Sequence, residues 1–328
     1  MLSDPLALWL LLGAIALDAV IGDPDWLWRR LPHPVVWIGK LISLMDRSLN
    51  RESWPAALRR MAGLLTLVLL VAGGTGTGFL LQAGLSALPY GEAGIIVIAA
   101  VFLAQNSLYV HVKAVADGLR NGGLAGGRRA VSMIVGRDPE QLDESGVSRA
   151  AIESCAENFS DGVVAPVFWF AVLGLPGLIA YKAVNTADSM IGHKTARHQD
   201  FGWASARFDD LINLPASRLS ALFIALAAPL VHGSPFRALS TVRRDAGLHR
   251  SPNAGWPEAA MAGALGLALA GPRSYGGTIV EDAVMGERGR RAATAADIRL
   301  ALKLFRIADW LLIALIGALA ALLISHGR

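Results

Sequence analysis

The chain has 328 residues, of which 54% are hydrophobic and 17% charged, and its mean hydropathy is +0.46. This is too apolar for an ordinary water-soluble enzyme, whose helices carry charged faces, and it predicts an integral membrane protein with considerable polar loop mass. The formal charge of +4 fits basic cytoplasmic loops better than a nucleic-acid partner, and the single cysteine, Cys155, excludes an intrachain disulfide and a thiolate metal cluster.

The first apolar run, Leu6 to Val20, is short, and MLSDP before it has no basic n-region, so it does not read as a signal peptide. Asp18 stands at the end of this run. Gly22-Asp23-Pro24 and Leu31-Pro32-His33-Pro34 follow as turns rigidified by proline, which hold Asp23 and His33 in place. Met61 to Leu81 approaches the ~20 apolar residues that a membrane-spanning helix needs. Its glycine-rich stretch from Gly73 to Gly78 has no following Lys-Ser/Thr and no preceding strand. Gly74 and Gly78 therefore read as a G-x-x-x-G helix-packing motif and not as a phosphate loop.

Gly94 to about Val115 forms the next apolar run. Gly22 to Arg60 and Leu119 to Ala151 are basic, whereas Gln82 to Ala93 has no Lys or Arg. This alternation places the first and third connections on the cytoplasmic side. Val163 to Ala180 is interrupted by Gly174-Leu175-Pro176-Gly177, Leu219 to Val231 is short, and Ala259 to Ala270 is shorter. The flanking regions Lys182 to Arg207, Arg237 to Arg250 and Arg273 to Arg306 are all basic and cannot alternate sides, so at least one intervening run is expected to be re-entrant. Ile307 to Ile324 closes the chain. The expected fold is all-α, a polytopic membrane protein of about four to six spans with broken or re-entrant helices and polar cytoplasmic loops, as one integral membrane domain over residues 1–328.

Acidic residues concentrate where the apolar runs break. In ESCAENFSDG, continuous helix would place Glu153, Glu157 and Asp161 on one face, where their charges repel. Asn158-Phe-Ser-Asp161 and Asn185-Thr-Ala-Asp188 repeat an N-x-x-D pattern on either side of the broken run, and Asp209 and Asp210 follow, with Asn213 close behind. Oxygen-only ligands at this density suit Mg²⁺, which keeps waters and bridges to phosphates; helix capping is the alternative for Asp161. The candidate metal ligands are Glu153, Glu157, Asn158, Asp161, Asp188, Asp209 and Asp210. Lys182, His193, Lys194, Arg197, Arg207, Arg218, Arg243, Arg244, His249 and Arg250 form a basic set of candidate phosphate ligands, the alternative for most being a positive-inside signal. Lys182 and Arg218 stand out because they lie against apolar runs. Ser251-Pro-Asn-Ala-Gly-Trp-Pro-Glu258 is a turn that can cap a helix or present N–H groups to an anion, which makes Ser251, Asn253, Trp256 and Glu258 candidate substrate contacts.

The blocks D-A-V-I-G-D-P, P-H-P-V, A-E-N-F-S-D-G-V-V-A-P, Y-K-A-V-N-T-A-D-S-M-I-G-H-K, F-G-W-A-S-A-R-F-D-D-L-I-N and S-P-N-A-G-W-P-E-A-A-M-A-G-A-L-G, in this order from about Asp18 to Tyr275, resemble the CobD/CbiB family. These are membrane adenosylcobinamide-phosphate synthases of cobalamin assembly. The resemblance implies amide formation between a propionate of adenosylcobyric acid and aminopropanol or its phosphate, dependent on ATP and Mg²⁺. Phosphoryl activation would make an acyl phosphate for the amine to attack, with a base, Glu157 or His33, taking the amine proton. On this reading Glu157, Lys182 and His33 are catalytic, and Asp18, Asp23, Asn185, His193, Lys194, Arg218, Arg243, Ser251, Asn253, Trp256 and Glu258 bind substrate. The implied partners are the corrinoid, aminopropanol phosphate and the lipid bilayer, with a second copy or other cobalamin-assembly enzymes left open. The implied location is the inner (cytoplasmic) membrane, with the active site on the cytoplasmic side. The alternatives are a Mg²⁺-dependent prenyltransferase-like enzyme, which the paired N-x-x-D motifs would suit, and a transporter with broken helices.

Overall fold

The structure is a computed structural model that describes residues 4–136, 138–271, 273–275, 278–280 and 282–326. The first three residues of MLSDP, and parts of the basic stretches after Leu119 and Arg273, lie outside the described residues. The chain forms two compact units, each assembled from separate segments: residues 1–104, 165–213 and 316–328, and residues 105–164 and 214–315.

The first unit opens with helices α1 (Pro5–Ile21), α2 (Asp25–Trp28), α3 (Pro34–Leu49), α4 (Ala56–Ser86) and α5 (Gly91–Val101). The chain enters the second unit with α6 (Gln105–Val131), which kinks at Gly123, and α7 (Glu144–Asn158). It returns to the first with α8 (Ala165–Leu173), α9 (Leu175–Ile191) and α10 (Trp203–Ile212). Helices α11 (Leu214–Ala227), α12 (Pro235–Asp245) and α13 (Gly255–Leu265) belong to the second unit, and α14 (Ala295–His326) runs from the second into the first. Two short antiparallel strand pairs, β1 (Leu269–Ala270) with β4 (Val284–Met285) and β2 (Arg273–Tyr275) with β3 (Thr278–Val280), lie between α13 and α14.

Four stretches are long and apolar enough to cross a membrane: Ala56–Ser86, Gly91–Val131, Leu214–Val231 and Ala295–His326. On α4 the side chains of Leu64, Leu65, Val68 and Leu69 are exposed, an apolar face too large for water and suited to lipid. The protein is a multi-pass membrane protein built of helices. The third span begins earlier than the apolar run at Leu219 indicates, because Arg218, which interrupts that run, has partners for its charge.

In the first unit, α4 packs against α9 through the glycines of its G-x-x-x-G motif. A Cβ on Gly74 would stand 2.9 Å from Ala180 Cα, and one on Gly78 2.5 Å from Pro176 Cα, so only glycine permits this approach. The break between α8 and α9 falls at Gly174, whose φ of 71° is in the left-handed region. Gln82 Oε1 accepts from the Leu175 N–H at 2.9 Å and satisfies a donor that the break frees. The far end of α9 is fixed by an apolar cluster of Ile42, Ala62, Leu70, Ala183, Ala187, Ile191 and Phe201. Beside it Asp46 accepts from Arg197 Nη2 at 2.8 Å. Burial alone would raise the Asp46 pKa, but Asn50 and Arg197 more than offset it and hold the carboxylate below its ordinary value.

Candidate active site

Within the first unit, α9 and α10 bring together the second N-x-x-D motif and the Asp209-Asp210 pair. Asn185 and Asp188 lie three residues apart on α9, hence on one face. Tyr181, fully buried, donates its hydroxyl to Asn213 Oδ1 at 3.0 Å. That bond orients the Asn213 amide so that Nδ2 donates to Asp209 Oδ2 at 2.9 Å. Asn185 also hydrogen-bonds the Asp209 carboxylate. The other oxygen, Asp209 Oδ1, is buried with no hydrogen-bond partner among the described residues. Burial and the neighbouring Asp188 push the Asp209 pKa up to about 7, against the two asparagine hydrogen bonds. Asp188 is also raised, by burial and by Asp210, with His193 opposing. Asp210 is raised by burial, and Arg207 and Lys194 oppose it. A Cβ on Gly192 would collide with Asp188 Oδ1, so the glycine at the end of α9 makes room for that carboxylate. A buried carboxylate oxygen without a donor, beside a second carboxylate, is a cation-shaped deficit.

Lys182, half-buried on α9, is close enough to His33 for its charge to act on the ring. His33 caps α3: Nδ1 accepts from the Val35 N–H at 3.2 Å, and Nε2 donates to the Val101 carbonyl at 3.1 Å. Its ring stacks edge-on with Trp28, and Asp23 lies 3.9 Å away. Burial lowers the His33 pKa, with Asp23 and the Val101 carbonyl opposing and Lys182 adding to the lowering. Both ring nitrogens are thus occupied with backbone groups. Asp18 is buried at the end of α1, whereas Asp23, His193 and Lys194 are exposed.

In the second unit, Glu153 is buried on α7 and its Oε1 accepts from the Ala270 N–H of β1 at 2.8 Å. Glu157 is exposed. Asn158 donates to the Ser154 carbonyl at 2.9 Å. The chain then makes a π-helical turn, Phe159–Val164, that contains Asp161. The continuous carboxylate stripe expected of this segment is corrected here. The wider turn rotates Asp161 out of α-helical register with Glu153 and Glu157, and Glu153 and Glu157 differ in exposure. Among the described residues, no group of three or more His, Cys, Asp or Glu side chains is placed to hold a metal ion by itself.

The turn before α13 forms a second polar cluster in the same unit. Arg218 Nη1 donates to Ser217 Oγ and Asn253 Oδ1, each at 2.9 Å. Its guanidinium lies 4.4 Å from the Trp256 ring centroid, a stacked cation–π arrangement. Ser217 Oγ also donates to Asn253 Oδ1 at 3.0 Å, and Ser251 Oγ accepts from the Asn253 N–H at 3.2 Å. His249 Nε2 stands 3.8 Å from Glu258 Oε1, and Glu258 is buried. Ser217 and Tyr181 are the residues that the sequence did not single out. Their roles come from packing across sequence separations such as the 36 residues between Ser217 and Asn253. Arg243 is exposed on α12.

The CobD/Cbib protein family model matches residues 11–305, a stretch that contains all of these groups. The chain belongs to the CobD/CbiB family. It is 57% identical over 301 residues to the "Cobalamin biosynthesis protein CobD" of Rhizobium meliloti (strain 1021), covering 91% of this chain and 92% of the relative. It is 56% identical over 298 residues to that of Brucella suis biovar 1, covering 89% and 90%, and 52% identical over 272 residues to that of Rhodobacter capsulatus, covering 82% and 83%. No solved structure matches the chain. As a CobD/CbiB protein it is an enzyme of cobalamin biosynthesis, of the adenosylcobinamide-phosphate synthase family, and the prenyltransferase and transporter alternatives fall away.

Proposed function

We propose that this CobD/CbiB protein joins a propionate carboxyl of adenosylcobyric acid to (R)-1-amino-2-propanol or its phosphate, giving adenosylcobinamide or its phosphate, with ATP as activating cosubstrate. The observation that supports the catalytic half of this reading is the pairing of half-buried Asp188 with buried Asp209, whose Oδ1 lacks a donor. This donor set fits Mg²⁺, which takes one or two carboxylates and fills its remaining positions with water and phosphate. Asp188 and Asp209 would hold the ion, with Asn185 and Asp210 beside them. Bound there, Mg²⁺ would neutralise charge on a transferring phosphoryl group. Glu153 Oε1 already accepts from the Ala270 N–H, and the unpartnered oxygen of Asp209 concentrates the metal reading on α9 and α10 and leaves Asn158 and Asp161 lesser candidates.

Lys182 precedes Asn185 by three residues and Asp188 by six on α9, and it binds substrate phosphate. Glu157, exposed at the end of α7, takes the amine proton, a task that needs access to substrate. His33 holds the turn before α3 and so positions Asp23. Arg218, kept flat by Trp256 and oriented by Asn253, offers its remaining N–H groups to a carboxylate or amide oxygen of the corrinoid. Ser251 and Glu258 shape that turn, and Asp18, Asp23, His193, Lys194 and Arg243 complete the substrate-binding set. The basic loops support a cytoplasmic active site on the inner membrane, where a second copy or other cobalamin-assembly enzymes could dock.

The test is turnover by the full chain in proteoliposomes, with adenosylcobyric acid, each amine, ATP and Mg²⁺, and with product identified by mass. Amide product is expected only when ATP and Mg²⁺ are both present. Absence of the amide with both amines, or its formation without ATP or without Mg²⁺, overturns the reading.

A further inference from the structure

Helix α14 places Arg299, Lys303, Arg306 and Trp310 at successive spacings of four, three and four residues, hence on one face. Together with Tyr109 and Lys113 of α6, they line a cavity of about 440 Å³ within the second unit. Four cations line it, and Asp117 beside them accepts from Lys113 Nζ at 2.5 Å and lies 3.6 Å from Arg299 Nη2. Arg306 lies 5.5 Å from the Tyr109 ring centroid, and Lys303 is exposed. The cavity therefore has an excess of positive charge.

Its position along α14 indicates what fills it. The apolar run Ile307 to Ile324 begins immediately after Arg306, and Trp310, 63% exposed, lies in its first turn. Tryptophan and basic side chains at the start of a span sit at headgroup depth. A positive-inside signal alone would need neither a cavity nor convergence of cations from two helices. We propose that this cavity binds the phosphate of an anionic phospholipid headgroup, with Lys303 and Arg306 as its principal contacts and Trp310 against the acyl-chain side. This site uses none of the residues assigned to the reaction.

The test uses the full chain in phosphatidylcholine nanodiscs containing either brominated phosphatidylglycerol or brominated phosphatidylcholine. Trp310 emission is isolated by subtracting the Trp310→Phe variant, since the chain has 9 tryptophans. The anionic lipid is expected to quench Trp310 at lower mole fraction than the zwitterionic one. A surface cation contributes about a fivefold change in such a preference, so Lys303→Gln/Arg306→Gln together should weaken it by more than tenfold. Lys303→Arg should retain it, separating charge from folding. Equal quenching by the two lipids overturns the proposal, as does a preference that survives the double variant or is lost in Lys303→Arg. Inorganic phosphate or ATP at millimolar concentration should leave the preference intact. Its abolition by either would assign the cavity to a soluble phosphate compound instead.

Discussion

Replacing Asp209 by Asn should stabilise the metal-free protein while disabling it. Asp209 is 8% exposed, and its pKa rises from 3.8 to about 7 on burial beside Asp188. A folded-state pKa above the unfolded one means that the native state holds the extra proton. The carboxyl's contribution to stability is therefore fully present below pH 3.8, falls as pH rises through the window from 3.8 to about 7, and is gone above it. At about 1.4 kcal/mol per pH unit of difference, the whole window amounts to about 4 kcal/mol. Asp209→Asn removes this loss, though Asn also changes the acceptor offered to Asn213, so a net gain of about 2 kcal/mol at pH 8 in EDTA is expected, within the usual range of single substitutions. Asp188, raised in the same direction, leaves a residual slope of the same sign. The assay is thermal unfolding in detergent, with and without Mg²⁺, from pH 5 to 8. The parent should lose stability with rising pH in EDTA and recover it with Mg²⁺, by about 2.7 kcal/mol at a hundredfold excess over Kd. The variant should show a shallower pH slope and little response to Mg²⁺. A variant no more stable than the parent at pH 8, with an undiminished Mg²⁺ response, would refute the assignment of the ion to this pair.

Three further outcomes follow from particular contacts. Lys182→Met should raise KM for the phosphorylated amine or lower kcat, with Lys182→Arg recovering part of the loss, as read by steady-state kinetics; unchanged constants would make the lysine an interfacial anchor. Glu157→Gln should lower turnover by more than about tenfold, the scale of general-base catalysis, without altering the Mg²⁺ response, whereas full activity would remove Glu157 from the reaction. Gly78→Val places side-chain carbon where Pro176 stands 2.5 Å from a Cβ and should destabilise the first unit by about 1–3 kcal/mol or more, as overpacking does; unaltered thermal unfolding would mean that α4 and α9 do not meet there.

Much of the architecture could be read from local chemistry. Gly174 before Leu175-Pro176 announces a helix break, because the chain must turn where φ is positive and Pro can open the next helix. Gly74 and Gly78 announce close packing, and their partner proves to be α9. Cys155 is buried as its size suggests, and burial pushes its thiol up to about 12. What the sequence hid depends on register and distance. The π-helical turn after Asn158 adds a residue to one turn of an otherwise helical segment, and no residue type in that segment signals it, so the carboxylate stripe looked continuous. The partner of Glu153 is the N–H of Ala270, 117 residues away. The orientation of Asn213 depends on Tyr181, on another helix. Arg218 makes the third span look short in sequence, but Ser217, Asn253 and Trp256 surround its charge.

The central claim is that a propionate carboxyl is activated by phosphoryl transfer before the amine attacks it. Propionate labelled with oxygen-18 on adenosylcobyric acid tests this in one turnover experiment with ATP, Mg²⁺ and the amine. Attack of the carboxylate on the terminal phosphorus makes an acyl phosphate and ADP, and displacement by the amine then leaves the amide and phosphate, so one labelled oxygen should appear in the released inorganic phosphate. Unlabelled phosphate with the label in AMP, or label lost only to water, would contradict it.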